Sequence, residues 1–594
     1  MEFFGVSSHE SAPRPDPHEG QKPLDDEQRA AVESFEQAIA VLAGPGSGKT
    51  RVLSYRARRL LMNDAGSRAL LLTFTNKAAA EMKARALGVA PVSSNRIQAS
   101  TFHTFGMRIL RAHGDLVGID RDFEILDRED QELLVAKVAR KAGVSGRPRR
   151  WSYLRLRRED VVEESVAKFG DAYEEEKRRA DVVDFDDLIV YTADLLKQHP
   201  EIAEAYGHQF RHLLVDEFQD TNAAQFVIVK ALCAHTETVS VFADDDQAIY
   251  RFVGAEAENI RRFIEQLGAR EYPLTFNYRC RRAIIEHANR LIAADPDASG
   301  RQMRPVYDGG HVRHISFADI AEEAVFISTE IAELIDGKRF RPSDLSILAR
   351  SGWRAGHVLK ALEQAGVPTS NWLGESYEPL ERRTLAVVLS VIRSRLNDRQ
   401  AQRLCELLGV ELTHEREIET FLDQYQGAEV VYELRRLRDM AYCGEPIIAI
   451  VRQAQVAAVV ARPQLREPLE TIVQAVIGFA ETDAEFTLEH LLSELALGGV
   501  GGPPTAGGGV KIASLHRTKG LQWPRVYIMG LETDTLPDYR AVTRPAVSEE
   551  RRICFVGVSR AETHLTLTRI RHYRGYLKEP SIFLEEMGID PYEE

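Results

Sequence analysis

Cysteine is scarce in this chain: Cys233, Cys280, Cys405, Cys443 and Cys554 are five among 594 residues, far apart and never in a CxxC pair. That spacing argues against a zinc ribbon or a cysteine-ligated iron–sulfur cluster and reads as reduced thiols in a reducing compartment. Long apolar runs are missing too. No stretch approaches the roughly 20 uncharged residues of a membrane span, and the opening MEFFGVSSHESAPRPDPHEGQ lacks the basic and apolar regions of a secretory leader. A cytoplasmic protein with no membrane partner is expected. Positive charge is in deficit, with a net charge of −14. This counts against a phosphate-rich partner unless Lys and Arg cluster locally. They do so over residues 137–158, KVARKAGVSGRPRRWSYLRLRR, which has no acid and has Trp151 and Tyr153 interleaved. That run reads either as a nucleic-acid contact or as a solvated helical face.

The chain is too long for one hydrophobic core, so several domains are expected. Residues 1–22 are rich in Pro, Ser, His and Asp and read as a disordered tail. Short apolar runs followed by helical patterns then recur: IAVL before a Gly-rich turn, ALLLTFT, HLLVDE and VSVFADDD. Such alternation predicts a parallel sheet covered on both faces. The pattern restarts from about residue 284 with SILAR and resumes with KIASLH and RVYIMGL. Between them, residues 380–497 carry Leu and Val at three- and four-residue spacing, ending in the linker-like GGVGGPPTAGGG.

The fold class is therefore α/β: two domains with parallel sheets, each carrying a mainly helical insertion. The expected boundaries are 23–110 with 190–283 for the first domain and 111–189 for its insertion. The second domain is expected over 284–379 with 506–594, interrupted by 380–505.

The most informative segment is AGPGSGKT, residues 43–50, directly after the apolar run 39–42. Its glycines let backbone N–H groups converge on phosphates, Lys49 adds a cation and the Thr50 hydroxyl is placed to ligate Mg²⁺. Gly44, Pro45, Gly46, Ser47, Gly48, Lys49 and Thr50 are thus candidate ATP contacts. Ala43 stands where the strict P-loop pattern has glycine. Phosphoryl transfer also needs an acid for the metal and a base for water. LLVDEFQDT supplies both: Asp216 for Mg²⁺ and Glu217 to orient and deprotonate the attacking water.

These boxes are accompanied by an ordered set that resembles the UvrD/Rep/PcrA-like superfamily 1 helicases. LDDEQRAAV resembles the family's Q motif, TFTNKAAAEMKAR motif Ia, and ASTFHTF the next DNA-contacting motif. VFADDDQAIYRFVGA resembles motif III, FNYRC motif IV, LHRTKGLQW motif V and EERRICFVGVSRA motif VI. The resemblance implies two RecA-like lobes, ATP hydrolysis between them, and 3′ to 5′ movement on single-stranded DNA. It implies that Gln28 reads adenine, Tyr278 stacks on it, and Gln247 senses the γ-phosphate. Arg279 and Arg560 would be arginine fingers, Lys519 would sit near the phosphates, and Gln522 would face the ribose. Along the strand it implies Phe74, Thr75, Asn76, Thr101, His103, Tyr250, Phe252 and His516. The alternative is that Phe74, Phe102 and Phe105 merely fill the core, a reading at least as good for Phe102 and Phe105, and that His103 and His516 are ordinary capping residues.

The chain departs from the family at Val253, where Arg is usual, at Ala243 for glycine, and at Gln522 for glutamate. Its second insertion is short, and no nuclease motif follows motif VI. The expected partners are single-stranded DNA and single-strand/duplex junctions, with a nuclease or repair protein as a further partner. An accessory translocase in such a complex is the alternative to a self-sufficient helicase. A P-loop signalling ATPase without nucleic acid is a third reading, opposed by the aromatic series.

Overall fold

The computed structural model describes residues 23–592 apart from short internal stretches, the longest being 496–507. The expected tail over 1–22, Phe252 and Val253, and most of the Gly/Pro-rich linker lie outside the described residues.

The chain becomes regular at helix Asp26–Glu33, whose N-cap Asp25 forms a capping box with Gln28. The apolar runs become strands because each is buried along its whole length, as in Ala38–Ala43, Ala69–Thr73 and His212–Val215. Strands without a solvent face belong in a parallel sheet clad by helices. The first sheet has six parallel strands in the order Ile97–Thr101, Ala69–Thr73, His212–Val215, Thr238–Ala243, Ala38–Ala43, Arg270–Leu274. The second, also parallel and six-stranded, runs His311–Phe317, Ala561–Ile570, Trp523–Met529, Leu345–Ala349, Val510–Ser514, Thr369–Trp372.

Strand Phe276–Arg281 pairs with Arg304–Tyr307 outside both large sheets. Its Cys280 is buried in one core with Ile284, Phe555 and Leu565. Cys280, expected with the first lobe, thus packs with the second.

The first insertion contains helices Arg128–Ala142, Pro148–Arg157 and Glu164–Arg179 around Leu126, Leu134, Val138, Phe169 and Tyr173. Gly170 is required there, since a Cβ would lie 2.5 Å from the Trp151 ring. Of the basic run, Arg155 is ion-paired to Asp187 at 2.8 Å and Glu174 at 3.2 Å, Arg157 to Glu159 at 2.6 Å and Glu256 at 3.3 Å, and Arg158 to Asp194 at 2.7 Å. Arg157 and Arg158 thus tie the insertion to Glu256 and Asp194 of the first lobe while Arg155 is paired inside the insertion, and the three form no open cationic face.

The second insertion, from helix Leu380–Ser390 to helix Arg466–Thr482, is organised about a core of its own that includes Leu385, Leu404, Phe421, Leu434, Val451 and Val473. It meets the first insertion through Arg403, which pairs with Asp127 and with Asp130 at 2.9 Å, and through Gln400, which donates to Glu124 at 3.1 Å.

Candidate active site and nucleic-acid interface

The P-loop leaves the carboxyl end of strand Ala38–Ala43 and enters helix Lys49–Asn63 through Gly48, the N-cap residue, at φ 82°. Gly46 is also left-handed, at φ 70°, and a Cβ there would lie 2.7 Å from the Arg279 Cβ. The helix N-terminus has no side-chain cap, so its amides face the loop's concavity as an anion site. The loop is held from both sides. Gln28 Nε2 donates to the Ser47 carbonyl at 3.0 Å, Asn277 Nδ2 to the Pro45 carbonyl at 2.7 Å, and the Tyr278 N–H to the Gly46 carbonyl at 2.8 Å. Tyr278 also bonds Asp25 through its hydroxyl. Met303 packs against Gly44, with its Cγ 3.3 Å from where a Cβ would stand.

Opposite the loop, strand His212–Val215 delivers Asp216 and Glu217. Glu217 is left-handed, at φ 52° and ψ 41°, a conformation that costs a non-glycine residue energy and is retained where the surroundings enforce it. Its carboxylate lies 3.3 Å from Lys49 Nζ and 3.5 Å from Lys519 Nζ. Burial raises the Glu217 pKa, but the two ammonium groups outweigh it and hold the carboxyl well below its ordinary range. Asp216 behaves oppositely: burial, then the charge of Glu217, pushes it up to about 6. Asp216 Oδ1 is buried without a hydrogen-bond partner. A buried orphan oxygen beside a phosphate-binding loop fits a divalent cation. Mg²⁺ is held by one or two carboxylates, with phosphates and water completing the shell. Among the described residues no cluster of three or more His, Cys, Asp or Glu is arranged for a metal. Thr50 and Asp216 would hold Mg²⁺ beside the phosphates.

The second lobe closes the cleft with cations. Lys519 pairs with Asp220 and donates to the Gln247 carbonyl at 3.0 Å. Arg560 is 1% exposed, and its guanidinium donates to the Val556 and Leu521 carbonyls, the Ser559 hydroxyl and, at 3.1 Å, Gln247 Oε1. Arg279 donates to Gln522 Oε1 at 2.7 Å and the Ser559 carbonyl at 3.1 Å. Each acceptor is neutral. Neither guanidinium has a carboxylate within ion-pair distance among the described residues. Burial, then the neighbouring Arg279, pushes Arg560 down to about 9. Two cations without a counter-ion form a site for a multiply charged anion.

The DNA candidates fall into two groups. Strands Ala69–Thr73 and Ile97–Thr101 pair with Thr73 opposite Thr101, so Phe74, Thr75, Asn76, Thr101 and His103 share one carboxyl edge. Thr75 is exposed, while half-buried Phe74 packs on Phe102 with centroids 5.9 Å apart. Thr101 is buried and N-caps helix Phe102–His113 by accepting from the Thr104 N–H. Phe102 and Phe105 are core residues, each 1% exposed. Burial pushes His103 down to about 4, so its ring is neutral, edge-on to Phe185. The second group is interlobe: the Tyr250 hydroxyl donates to the His516 carbonyl at 3.3 Å, and Lys519 Nζ stands 5.5 Å from the Tyr250 ring centroid. His516 is pushed down to about 4 by burial and by Arg350.

Sequence reasoning did not single out Gln219, Asp220, Asp244 or Asn277. All lie inside the boxes quoted above. They were legible only as neighbours of the named residues, because their partners come from distant segments.

Family models match both halves of the chain. Residues 24–268 match the UvrD/REP helicase N-terminal domain, and 272–421 with 413–572 match the UvrD-like helicase C-terminal domain. Among curated proteins, the chain is 31% identical to DNA helicase II of Salmonella typhimurium over 96% of this chain and 88% of the relative. It is 29% identical to ATP-dependent DNA helicase PcrA of Staphylococcus epidermidis, over 96% and 87% respectively, and 30% identical to DNA helicase II of Haemophilus influenzae, over 95% and 87%. With family models matching both halves of the chain and a relative 31% identical over 96% of it, the chain belongs to the UvrD/REP helicase family.

Proposed function

We propose that this protein is an ATP-driven motor that moves 3′ to 5′ on single-stranded DNA and separates duplex at a single-strand/duplex junction. The observation that carries the reading is the pair Arg279 and Arg560, held only by neutral acceptors and facing the P-loop side of the cleft. The triphosphate sits on the loop glycines and the first-turn amides, beside Lys49. Thr50 and Asp216 would hold Mg²⁺, which would supply neutralising charge to the phosphates. Glu217 takes the proton of the attacking water, Gln247 contacts the γ-phosphate, and the guanidiniums offset charge that develops as the terminal phosphoryl group leaves. Since the cations belong to the second lobe, hydrolysis and lobe closure are one event. Gln28, Tyr278 and Gln522 face the nucleoside. Phe74, Thr75, Asn76, Thr101, His103, Tyr250, Phe252 and His516 follow the strand, with aromatic faces accepting any base. The test is steady-state ATP hydrolysis with and without a saturating oligonucleotide. Strong stimulation by single strands supports a DNA motor, and an unchanged rate abandons it.

A second reading, a translocase that unwinds poorly alone and serves a nuclease or repair complex, is favoured by the internal pairing of Arg155, Arg157 and Arg158. That pairing removes cationic surface from the basic run read above as a candidate nucleic-acid contact. Repair, recombination and defence against foreign DNA are the settings in which such a motor serves.

A further inference from the structure

Gln219 is fully buried, and both ends of its amide are committed. Its Nε2 donates to the Glu217 carboxylate, and its Oε1 accepts from the Asp244 N–H at 2.9 Å. The two contacts fix the amide's orientation, because the reversed amide would set an oxygen against a carboxylate and an NH₂ against an N–H. The network continues. The Gln247 N–H donates to the Asp244 carbonyl at 3.0 Å and Gln247 Nε2 to Asp244 Oδ2 at 2.5 Å, while Gln247 Oε1 accepts from Arg560. One run of hydrogen bonds therefore connects Glu217, through Gln219 and the Asp244–Gln247 turn, to a guanidinium of the second lobe.

We infer that Gln219 is the positioning residue for Glu217, holding its carboxylate toward the attacking water and tying it to the turn that carries Gln247. The inference rests on the reading of Glu217 as the base. Three features carry it. Glu217 has a left-handed backbone, so its side-chain direction must be enforced from outside. Its other side-chain donors, Lys49 and Lys519, are cations for which incoming phosphates compete. Gln219 is neutral, so phosphates do not compete for it as they do for an ammonium group, and its other end is tied to the Asp244 N–H. A neutral donor also orients a base while reducing its basicity less than an ammonium group would.

The experiment measures single-turnover ATP hydrolysis by the full chain with saturating (dT)₂₀ and Mg²⁺ in Gln219→Met, Gln219→Glu, Glu217→Gln and the double variant Glu217→Gln/Gln219→Met. Methionine keeps the side chain's length and removes donor and acceptor. Glutamate keeps the acceptor for the Asp244 N–H, so the turn stays tied, and when ionised it loses the donor and sets a like charge against Glu217. Both single variants are expected to lower the hydrolytic rate by roughly 10- to 100-fold, part of the usual contribution of a general base, with ATP affinity within about twofold. The Gln219→Glu rate is expected to recover partially as pH falls and its carboxyl regains a proton to donate. In the double variant, Gln219→Met adds less than about twofold to the loss from Glu217→Gln, because a positioning residue has nothing left to position.

Wild-type rates in both Gln219 variants, or a full multiplicative loss in the double variant, overturn the inference while leaving Glu217 as the base. Wild-type hydrolysis by Glu217→Gln removes the base assignment and this inference with it.

Discussion

Lys519, from the second lobe, lies 3.5 Å from Glu217 in the first, so an ammonium group from one half of the cleft sits against a carboxylate of the other. Lys519 also pairs with Asp220, and with the lobes apposed it competes with any proton for Glu217. Replacing it with methionine removes this clamp and a phosphate-facing cation together. The expected result is a fall of about 10²–10³-fold in turnover, the scale seen when a preorganised charge is deleted. A pre-steady-state assay with saturating ATP checks it, and turnover above a tenth of wild type would contradict the assignment.

Lys49 and Glu217 touch each other, yet their losses are expected to differ in kind. Lys49→Ala removes a cation from the phosphate site, so nucleotide binding itself weakens. Glu217→Gln keeps binding and slows only the chemical step, by about 10²–10⁴-fold. Fluorescent-nucleotide titration beside single-turnover hydrolysis separates the two, and equal loss of affinity in both would undo the distinction.

Metal-dependent nucleotide binding is expected to strengthen as pH rises from about 5 to 7. Burial first, then Glu217, lifts the Asp216 carboxyl from 3.8 to about 6. A raised acid favours the protonated folded form, so its contribution to stability is full below its unfolded pKa and fades as pH climbs through 6. Cation binding needs the carboxylate, so affinity for ATP with Mg²⁺ falls up to about tenfold per pH unit below that value. Asp216→Asn should flatten the profile. A wild-type affinity constant between pH 5 and 7 counts against Asp216 as the metal ligand.

Binding of single-stranded DNA should be insensitive to pH between 6 and 8 and sensitive to salt. His103 and His516 are both pushed down to about 4 by burial, so neither carries charge in that window. The slope of log affinity against log salt reports the phosphates neutralised, at about −0.7 per contact for single strands. Fluorescence anisotropy with (dT)₂₀ gives both dependences. A loss of affinity across pH 6.5 would mean that one of these rings binds as imidazolium.

Translocation and unwinding should come apart in the purified chain. The paired arginines of the first insertion leave the grip on duplex weaker than the grip on a single strand. Stepping along a single strand is expected at rates that unwinding of a 3′-tailed duplex does not match. Processive unwinding by the isolated protein would show that no partner is needed.

Much of this molecule was legible before any coordinates. P-loop chemistry is local: glycine, lysine and threonine at fixed spacing after an apolar strand make a phosphate cradle because backbone amides a few residues apart do the binding. The apolar runs named the strands, since a strand buried on both faces leaves no alternation to misread. Helical periodicity was equally plain from residue 380 onward, and the described helices from Leu380–Ser390 to Arg466–Thr482 gather around a core of their own.

Charge was the place where sequence proved least informative. The run 137–158 contains no acid, yet Arg155, Arg157 and Arg158 find Asp187, Glu174, Glu256 and Asp194 in other segments. The same holds at the active site, where Gln219 sits two residues from Glu217 but takes its meaning from Asp244, and Lys519 meets Glu217 across some 300 positions of chain. Cores and turns are decided by neighbours in sequence, whose contacts cost little chain entropy and recur with a fixed period. Ion pairs and shared hydrogen bonds are decided by which distant segments the sheets bring together, and strand order is not written in any local pattern.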